Sequence, residues 1–326
     1  MRVPAEPTVA DLDEQELLAR IFPHLPVGDA TLVPPGDDAA VVATPDGRTV
    51  VTCDVLVEDV HFRRAWSTGH QVGLRAAAQN LADVAAMGAR PTALVVGLVM
   101  PPTTPVAWVE ALAAGLGDGC RPHGAGVVGG DLSSGPALMV AVTAFGDLEG
   151  RAPVLRSGAR AGDVVAHAGR RGWSAAGLAL LLAGQGGADD ALVDAFRVPC
   201  PPLTAGVDAA RAGATALMDV SDGLLRDAGR LARASGVTLD LADPCVAFDD
   251  DARRLAPAAD LLGVDVREWL LAGGEDHGLL ATFPAGAALP APFVPVGRVL
   301  ARAATDVLVE GARPAVGTSG WDHFRA

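Results

Sequence analysis

Apolar residues recur along this chain in short blocks whose spacing switches between helical and alternating, and the switches mark out its elements. Residues about 11 to 22 read as a short acidic helix, and Val50 to Val60 as a strand pair whose connecting loop carries Asp54 between apolar partners. His70 to Met87 keeps a helical Leu/Ala/Val stripe and meets a stop signal at Gly88. Asn80 and Asp83, three apart, share the opposite face of that helix. Thr92 to Met100 reads as a buried strand and Val106 to Cys120 as a helix entered through Pro105. Val127-Val128 reads as a short strand running straight into a Gly129-Gly130-Asp131 turn, and Ala137 to Phe145 as a closing strand.

Gly146 to Arg160 is rich in Gly, Arg and Asp and reads as a connection between halves. Beyond it the pattern predicts a strand at Val164 to His167, helices at Ser174 to Leu182 and about Thr204 to Arg211, and a strand-to-helix passage through Ala216 to Gly223. Ser221 or Asp222 is the expected helix N-cap there. Helices at Ala252 to Leu262 and Val266 to Leu271 precede a Gly-Gly-Glu-Asp turn, with strands at Leu279 to Phe283, Phe293 to Val299 and Asp306 to Val309. Alternating strands and helices predict an α/β fold of the α+β type in two domains, 1–148 and 149–326, rather than one barrel.

Composition narrows the partners. The apolar stretches at Ala93 to Pro101 and Ala175 to Ala183 are too short to span a membrane, and the first residues lack a basic region followed by an apolar core. The expectation is a cytoplasmic protein with no membrane partner. Cys53, Cys120, Cys200 and Cys245 are scattered, which argues against a zinc site or disulfide framework. A formal charge of −14 argues against nucleic acid. All 25 basic side chains are Arg. Without Lys, neither a Walker phosphate loop nor a protein-kinase strand lysine is available.

The candidate chemistry lies in acids placed where apolar runs end: Gly36-Asp37-Asp38, Thr52-Cys53-Asp54, Asp83, Gly129-Gly130-Asp131, Asp219-Val-Ser221-Asp222-Gly223 and Gly273-Gly274-Glu275-Asp276. Each taken singly also has a plain structural reading as a turn, a helix cap or a solvated strand end. Converging carboxylates about 4 Å apart would repel by roughly 4 kcal/mol at an effective dielectric near 20, so a cluster calls for hard cations. Mg²⁺ with a phosphate substrate is the natural answer. On that view, removing one acid leaves the metal-free fold intact or more stable. A phosphohydrolase using Asp54 as nucleophile would want Asp-x-Asp after a strand, whereas Val55 and Leu56 follow here.

Read in order, Gly-Asp-Asp, Thr-Cys-Asp-x-Leu-Val-x-x-Val-His-Phe, Asn-Leu-Ala-Asp-Val-Ala-Ala-Met-Gly-Ala-Arg-Pro, Gly-Gly-Asp, Asp-Val-Ser-Asp-Gly-Leu, Gly-Gly-Glu-Asp and Gly-Trp-Asp-His-Phe resemble the thiamine-monophosphate kinase family, from about Asp37 to Phe324. That family lies within the wider aminoimidazole ribonucleotide synthetase superfamily. The resemblance implies ATP-dependent phosphorylation of thiamine phosphate to thiamine diphosphate by direct in-line transfer; the alternative is another superfamily enzyme with a different phosphate acceptor. It implies a homodimer paired through a mixed sheet of the N-terminal, ATP- and Mg²⁺-binding domain, with the C-terminal domain completing the active site. Carried over motif by motif, Asp37, Thr52, Cys53, Asp54, Asp83, Asp131, Asp219 and Asp222 would ligate several Mg²⁺ ions. Gly130, Asp131, Arg156 and Ser221 would contact ATP, and His61, Glu275 and Trp321 would face thiamine phosphate. Three positions depart from the family pattern: Cys53 where Ser or Thr is usual, His277-Gly278 where Tyr-Glu is usual, and an acid at Glu58-Asp59 where Gly is common.

Overall fold

The computed structural model describes residues 6–35, 39–314, 316, 320 and 321. Asp37 and the last residues of the Gly-Trp-Asp-His-Phe tail lie outside them, whereas Trp321 is described. The chain divides into two compact units, Met1–Val84 with Arg90–Glu149, and Ala85–Ala89 with Gly150–Ala326.

The first unit runs α1 (Glu14–Ile21), β1 (Thr31–Val33), β2 (Val41–Val42), β3 (Val50–Val57), α2 (Gly69–Ala85), β4 (Arg90–Met100), α3 (Val106–Cys120), β5 (Gly126–Ser134) and β6 (Met139–Asp147). A capping box starts α1, with Asp13 accepting from the Glu16 amide and Glu16 returning the bond to the Asp13 amide. Four strands form a mixed sheet in the order β3-β6-β4-β5, antiparallel except for the β4/β5 pair. Alternation sorts its residues: Leu56, Val140, Val142 and Ala144 are buried, while Val51, Cys53, Val55 and Met139 on the other face are exposed.

Two sequence expectations change here. Val50–Val57 is one continuous strand, paired along its length with β6, so Asp54 stands in mid-strand and not in a loop. Nothing between Val50 and Val57 supplies turn chemistry, and the β-branched run simply continues. Likewise Gly129-Gly130-Asp131 is not a turn but part of the edge strand β5. A Cβ at Gly130 would stand 2.0 Å from the Val96 carbonyl oxygen, so glycine is what lets this edge close onto β4.

The second unit contains β7 (Val164–Ala168), α4 (Trp173–Leu182), α5 (Asp190–Arg197), α6 (Leu203–Arg211), β8 (Ala216–Val220), α7 (Leu224–Ser235), β9 (Val237–Leu241), α8 (Pro244–Ala247), α9 (Asp249–Leu262), α10 (Val266–Ala272), β10 (Gly278–Phe283), β11 (Val294–Ala301) and β12 (Val307–Val309). Its six strands are ordered β12-β9-β11-β7-β10-β8, antiparallel except for β12 on β9. Val165, Met218, Val220 and Leu280 pack with α4, α7, α9 and α10; Ala166, Ala168, Leu217 and Ala281 pack on the other face with α6. The sheet is thus buried on both sides, which is why β8, β9 and β10 are buried throughout. The helix α5 and the strand β9 are elements the sequence pattern did not yield. Asp189 caps α5 through the Leu192 amide, and β9 hides Asp240 in its run by pairing it with Arg298 at 2.9 Å. Among the described residues no helix is long and apolar enough to cross a membrane.

Candidate active site

In the first unit, the face of β3 turned toward α2 carries Thr52 and Asp54, and the polar face of α2 answers it. Thr52 Oγ1 donates to Asp83 Oδ2 at 2.8 Å, Gln79 Nε2 donates to Asp54 Oδ2 at 3.3 Å, and Asn80 Oδ1 accepts from the Asp54 amide at 3.1 Å. Asn80 is fully buried and returns its own amide to the Ala76 carbonyl at 2.9 Å. The expected sharing of a face by Asn80 and Asp83 therefore has a use, since both meet the same strand. Cys53 lies between Thr52 and Asp54, and its thiol is on the other face of the sheet, so the structure does not bring it to these oxygens.

His61 follows a tight turn through Asp59, whose φ of 66° is the left-handed conformation that glycine adopts freely. His61 Nδ1 accepts from the Val57 amide at 3.0 Å, which leaves Nε2 to carry the proton of the neutral ring. On β5, Asp131 is exposed and accepts from Ser133 Oγ at 2.8 Å. Gly130 and Asp131 also border a cavity of about 220 Å³ whose walls include Leu18, Ile21, Val109 and Leu112.

In the second unit the backbone gathers the remaining candidates, Asp219, Ser221, Asp222, Glu275 and Trp321. The Glu275 amide donates to the Ser221 carbonyl at 2.8 Å and the Trp321 amide to the Asp222 carbonyl at 2.9 Å. Gly274 is needed for the first contact, since a Cβ there would stand 2.4 Å from the Ser221 oxygen. His277 is buried between Asp219 and Glu275, 3.7 and 3.8 Å from their carboxylates. Burial opposes its charge, but these two acids outweigh it and raise the imidazole to about 10. Burial likewise works against the Asp219 carboxylate, yet His277, Arg156 and Ser221 hold it below the usual range. Asp219 thus repels Asp227 but is itself held by His277, Arg156 and Ser221, so its removal is expected to cost stability rather than relieve strain.

Neither Ser221 nor Asp222 caps α7. Gly223 takes the N-cap position without a side-chain bond, and Asp227 reaches back from the first turn to accept from the Asp222 amide at 2.9 Å. Arg230 closes the ring, donating to Asp227 and to Asp222, each at 2.6 Å. Burial, then the charge of Asp219, pushes the Asp227 carboxyl up to about 6. Asp227, Arg230 and Gln79 carry no signal at a strand end, and only their polarity within helices could have flagged them; Asp276 stands inside the Gly-Gly-Glu-Asp turn, where the resemblance gives a role to Glu275 alone.

Comparison with known proteins gives the family of the chain. Residues 36–148 match the family model described as AIR synthase related protein, N-terminal domain. The thiamine-monophosphate kinase of Mycobacterium tuberculosis (strain CDC 1551 / Oshkosh) is 48% identical over 98% of this chain and 93% of its own length. The chain belongs to the thiamine-monophosphate kinase family. The family member of Corynebacterium glutamicum is 41% identical over 98% of the chain and 95% of its own. Among solved structures, that of AaThiL complexed with AMPPCP and TMP is 33% identical with a TM-score of 0.77, covering 88% of this chain and 91% of that one.

Among the described residues no three His, Cys, Asp or Glu side chains stand assembled as a metal cage. The donors instead come as a hydroxyl beside a carboxylate, Thr52 with Asp83, and as single acids. Mg²⁺ keeps several waters and takes one or two protein carboxylates plus substrate phosphates, so this hard-oxygen set fits it.

Proposed function

We propose that the chain transfers the terminal phosphoryl group of ATP to thiamine phosphate, giving thiamine diphosphate and ADP. A phosphate oxygen of the acceptor attacks the γ-phosphorus in line as the bond to the β,γ-bridging oxygen breaks, with no phosphoenzyme. The observation that carries this reading is the likeness, over 88% of the chain, to AaThiL complexed with AMPPCP and TMP. A fold that holds an ATP analogue and thiamine monophosphate in one complex suits direct transfer, which needs both substrates present.

The N-terminal domain, residues 1–148, takes ATP, Mg²⁺ and the dimer contact, and the C-terminal domain, residues 149–326, completes the active site with Arg156, Asp219, Ser221, Asp222, Glu275 and Trp321. The cavity bordered by Gly130 and Asp131 is apolar along α1 and α3, as a planar base requires. Arg156 and Ser221 serve the phosphates, Arg156 through a guanidinium that can bind two oxygens at once. His61 faces the acceptor phosphate through its Nε2–H. Glu275 supplies a charge and Trp321, which is 45% exposed, a ring face to the cationic thiazolium. Asp37, Thr52, Asp54, Asp83, Asp131, Asp219 and Asp222 would hold several Mg²⁺ ions, which would supply charge neutralisation to the phosphates. Cys53 is left out of that set: its thiol lies on the other face of the sheet, and the peptide whose Asp54 N–H turns to Asn80 directs the Cys53 carbonyl toward β6.

Two copies pair through the first unit. Val51 and Val55 are 59% and 38% exposed on a sheet face they share with Cys53 and Met139, an apolar surface of the kind that a second copy covers. A coupled assay of ADP release against a panel of phosphate acceptors tests the reading; release that favours an acceptor other than thiamine phosphate would assign the chain to another branch of the superfamily.

A further inference from the structure

The turn that carries Glu275 has an unusual backbone. Glu275 and His277 have φ of 68° and 53°, both left-handed and neither a glycine. Side chains avoid this region, so a segment holding two such residues with a single residue between them must be pinned by its surroundings. Between them stands Asp276, buried and turned away from the Asp219–Glu275 side into the start of α4. Its Oδ2 accepts from the Gly172 amide at 2.6 Å and its Oδ1 from the Ser174 amide at 2.8 Å. Arg171, with no exposed surface, lies 3.9 Å from Oδ2 and spans the gap to α10 by donating Nε to the Leu270 carbonyl at 3.0 Å. On the other side, the Glu275 amide is tied to the Ser221 carbonyl.

We propose that Asp276 is a positioning residue for the acceptor side of the site: by fastening the Gly-Gly-Glu-Asp turn to the first turn of α4, it fixes where the Glu275 carboxylate stands. The two oxygens take two amides of one helix start, so the carboxylate cannot rotate without losing a bond, and its neighbours on both sides inherit that orientation. Asp276 touches no substrate and acts only through Glu275. The inference rests on the reading of Glu275 as the residue facing thiamine phosphate.

The test is a double-mutant cycle on the full chain with Asp276→Asn and Glu275→Gln. Asparagine has one acceptor oxygen, so one of the two amides loses its partner. Asp276→Asn should raise KM for thiamine phosphate about tenfold, with KM for ATP changed less than about twofold. The double variant should be no worse for thiamine phosphate than Glu275→Gln alone, the non-additivity expected of residues acting as a unit. Equal rises for both substrates, or additive losses in the double variant, would overturn the proposal. Hydrogen exchange on the unaltered chain gives a check independent of the variant's folding. Thiamine phosphate should slow exchange at the Gly172 and Ser174 amides about threefold or more and ATP alone should not; no slowing with thiamine phosphate would also overturn it. Failure of the functional reading itself would show separately, as an unaltered chain that releases no ADP with thiamine phosphate.

Discussion

Asp219 is buried, and what makes its charge tolerable is His277 at 3.7 Å together with Arg156 and Ser221. Replacing it with Asn takes away one of the two carboxylates that flank a buried imidazolium, a costly outcome for a broken buried pair. Asp219→Asn should therefore lower the melting temperature of the metal-free protein and cut turnover at least about a hundredfold, the scale of a lost electrostatic contact. Asp131 is exposed and, among the described residues, its hydrogen-bond partner is Ser133, so Asp131→Asn should lose turnover similarly with its melting temperature unchanged. Calorimetry beside steady-state kinetics separates the two, and a raised melting temperature for Asp219→Asn would contradict this account. For Trp321, loss of the ring in Trp321→Ala should raise KM for thiamine phosphate roughly five- to thirtyfold, with Trp321→Phe recovering much of it. Equal loss for ATP would instead make Trp321 a pin for the chain end. The acids at the ends of apolar runs were legible because charge is conspicuous there. Asp227 and Arg230 were not, since inside a helix they look like any solvated pair until the fold turns them onto the Asp222 amide and carboxylate.

Among the elements, α2 and α3 were readable nearly to their ends because helical spacing over many residues leaves little ambiguity. The strands β3 and β5 were misread for one reason: a polar or Gly-rich step inside a strand looks like a turn until its pairing partner is known. Gly130→Ala tests the corrected view of β5. With the Val96 oxygen 2.0 Å from the new Cβ, the edge strand must move, and KM for ATP should rise while thiamine phosphate binding is spared; unchanged KM for ATP would leave Gly130 a mere strand residue. The start of α9 offers a test of burial. Burial pushes the Asp251 carboxyl up to about 6, helped by the charge of Asp276 and opposed by the Trp173 indole, the Arg171 amide and the Arg171 guanidinium. Its folded value thus lies above the unfolded 3.8, so its proton is held more tightly in the fold, and stability from this group falls as pH rises from about 4 to about 6. Asp251→Asn removes that fall while still accepting from Trp173. Its melting temperature relative to the unaltered chain should be more favourable at pH 7 than at pH 4; a difference independent of pH would contradict the assignment.

For the whole molecule, the alternation of strands and helices was sufficient to predict two α/β parts, but not how the segment Ala85–Ala89 sorts with the second unit, because compactness depends on contacts distant in sequence. Nor could composition say which face of the first sheet stays uncovered; the exposed Val51, Cys53, Val55 and Met139 do. Light scattering at micromolar concentration should give twice the mass of one 32.9 kDa chain, and Val51→Asp with Val55→Asp should shift it toward the monomer. The central claim, direct phosphorylation of thiamine phosphate, is tested most directly by ADP release from the purified chain with ATP and Mg²⁺. Release should require thiamine phosphate, match thiamine diphosphate formed mole for mole, and stop when the metal is chelated. Brisk release with the acceptor omitted, or with the metal removed, would contradict it.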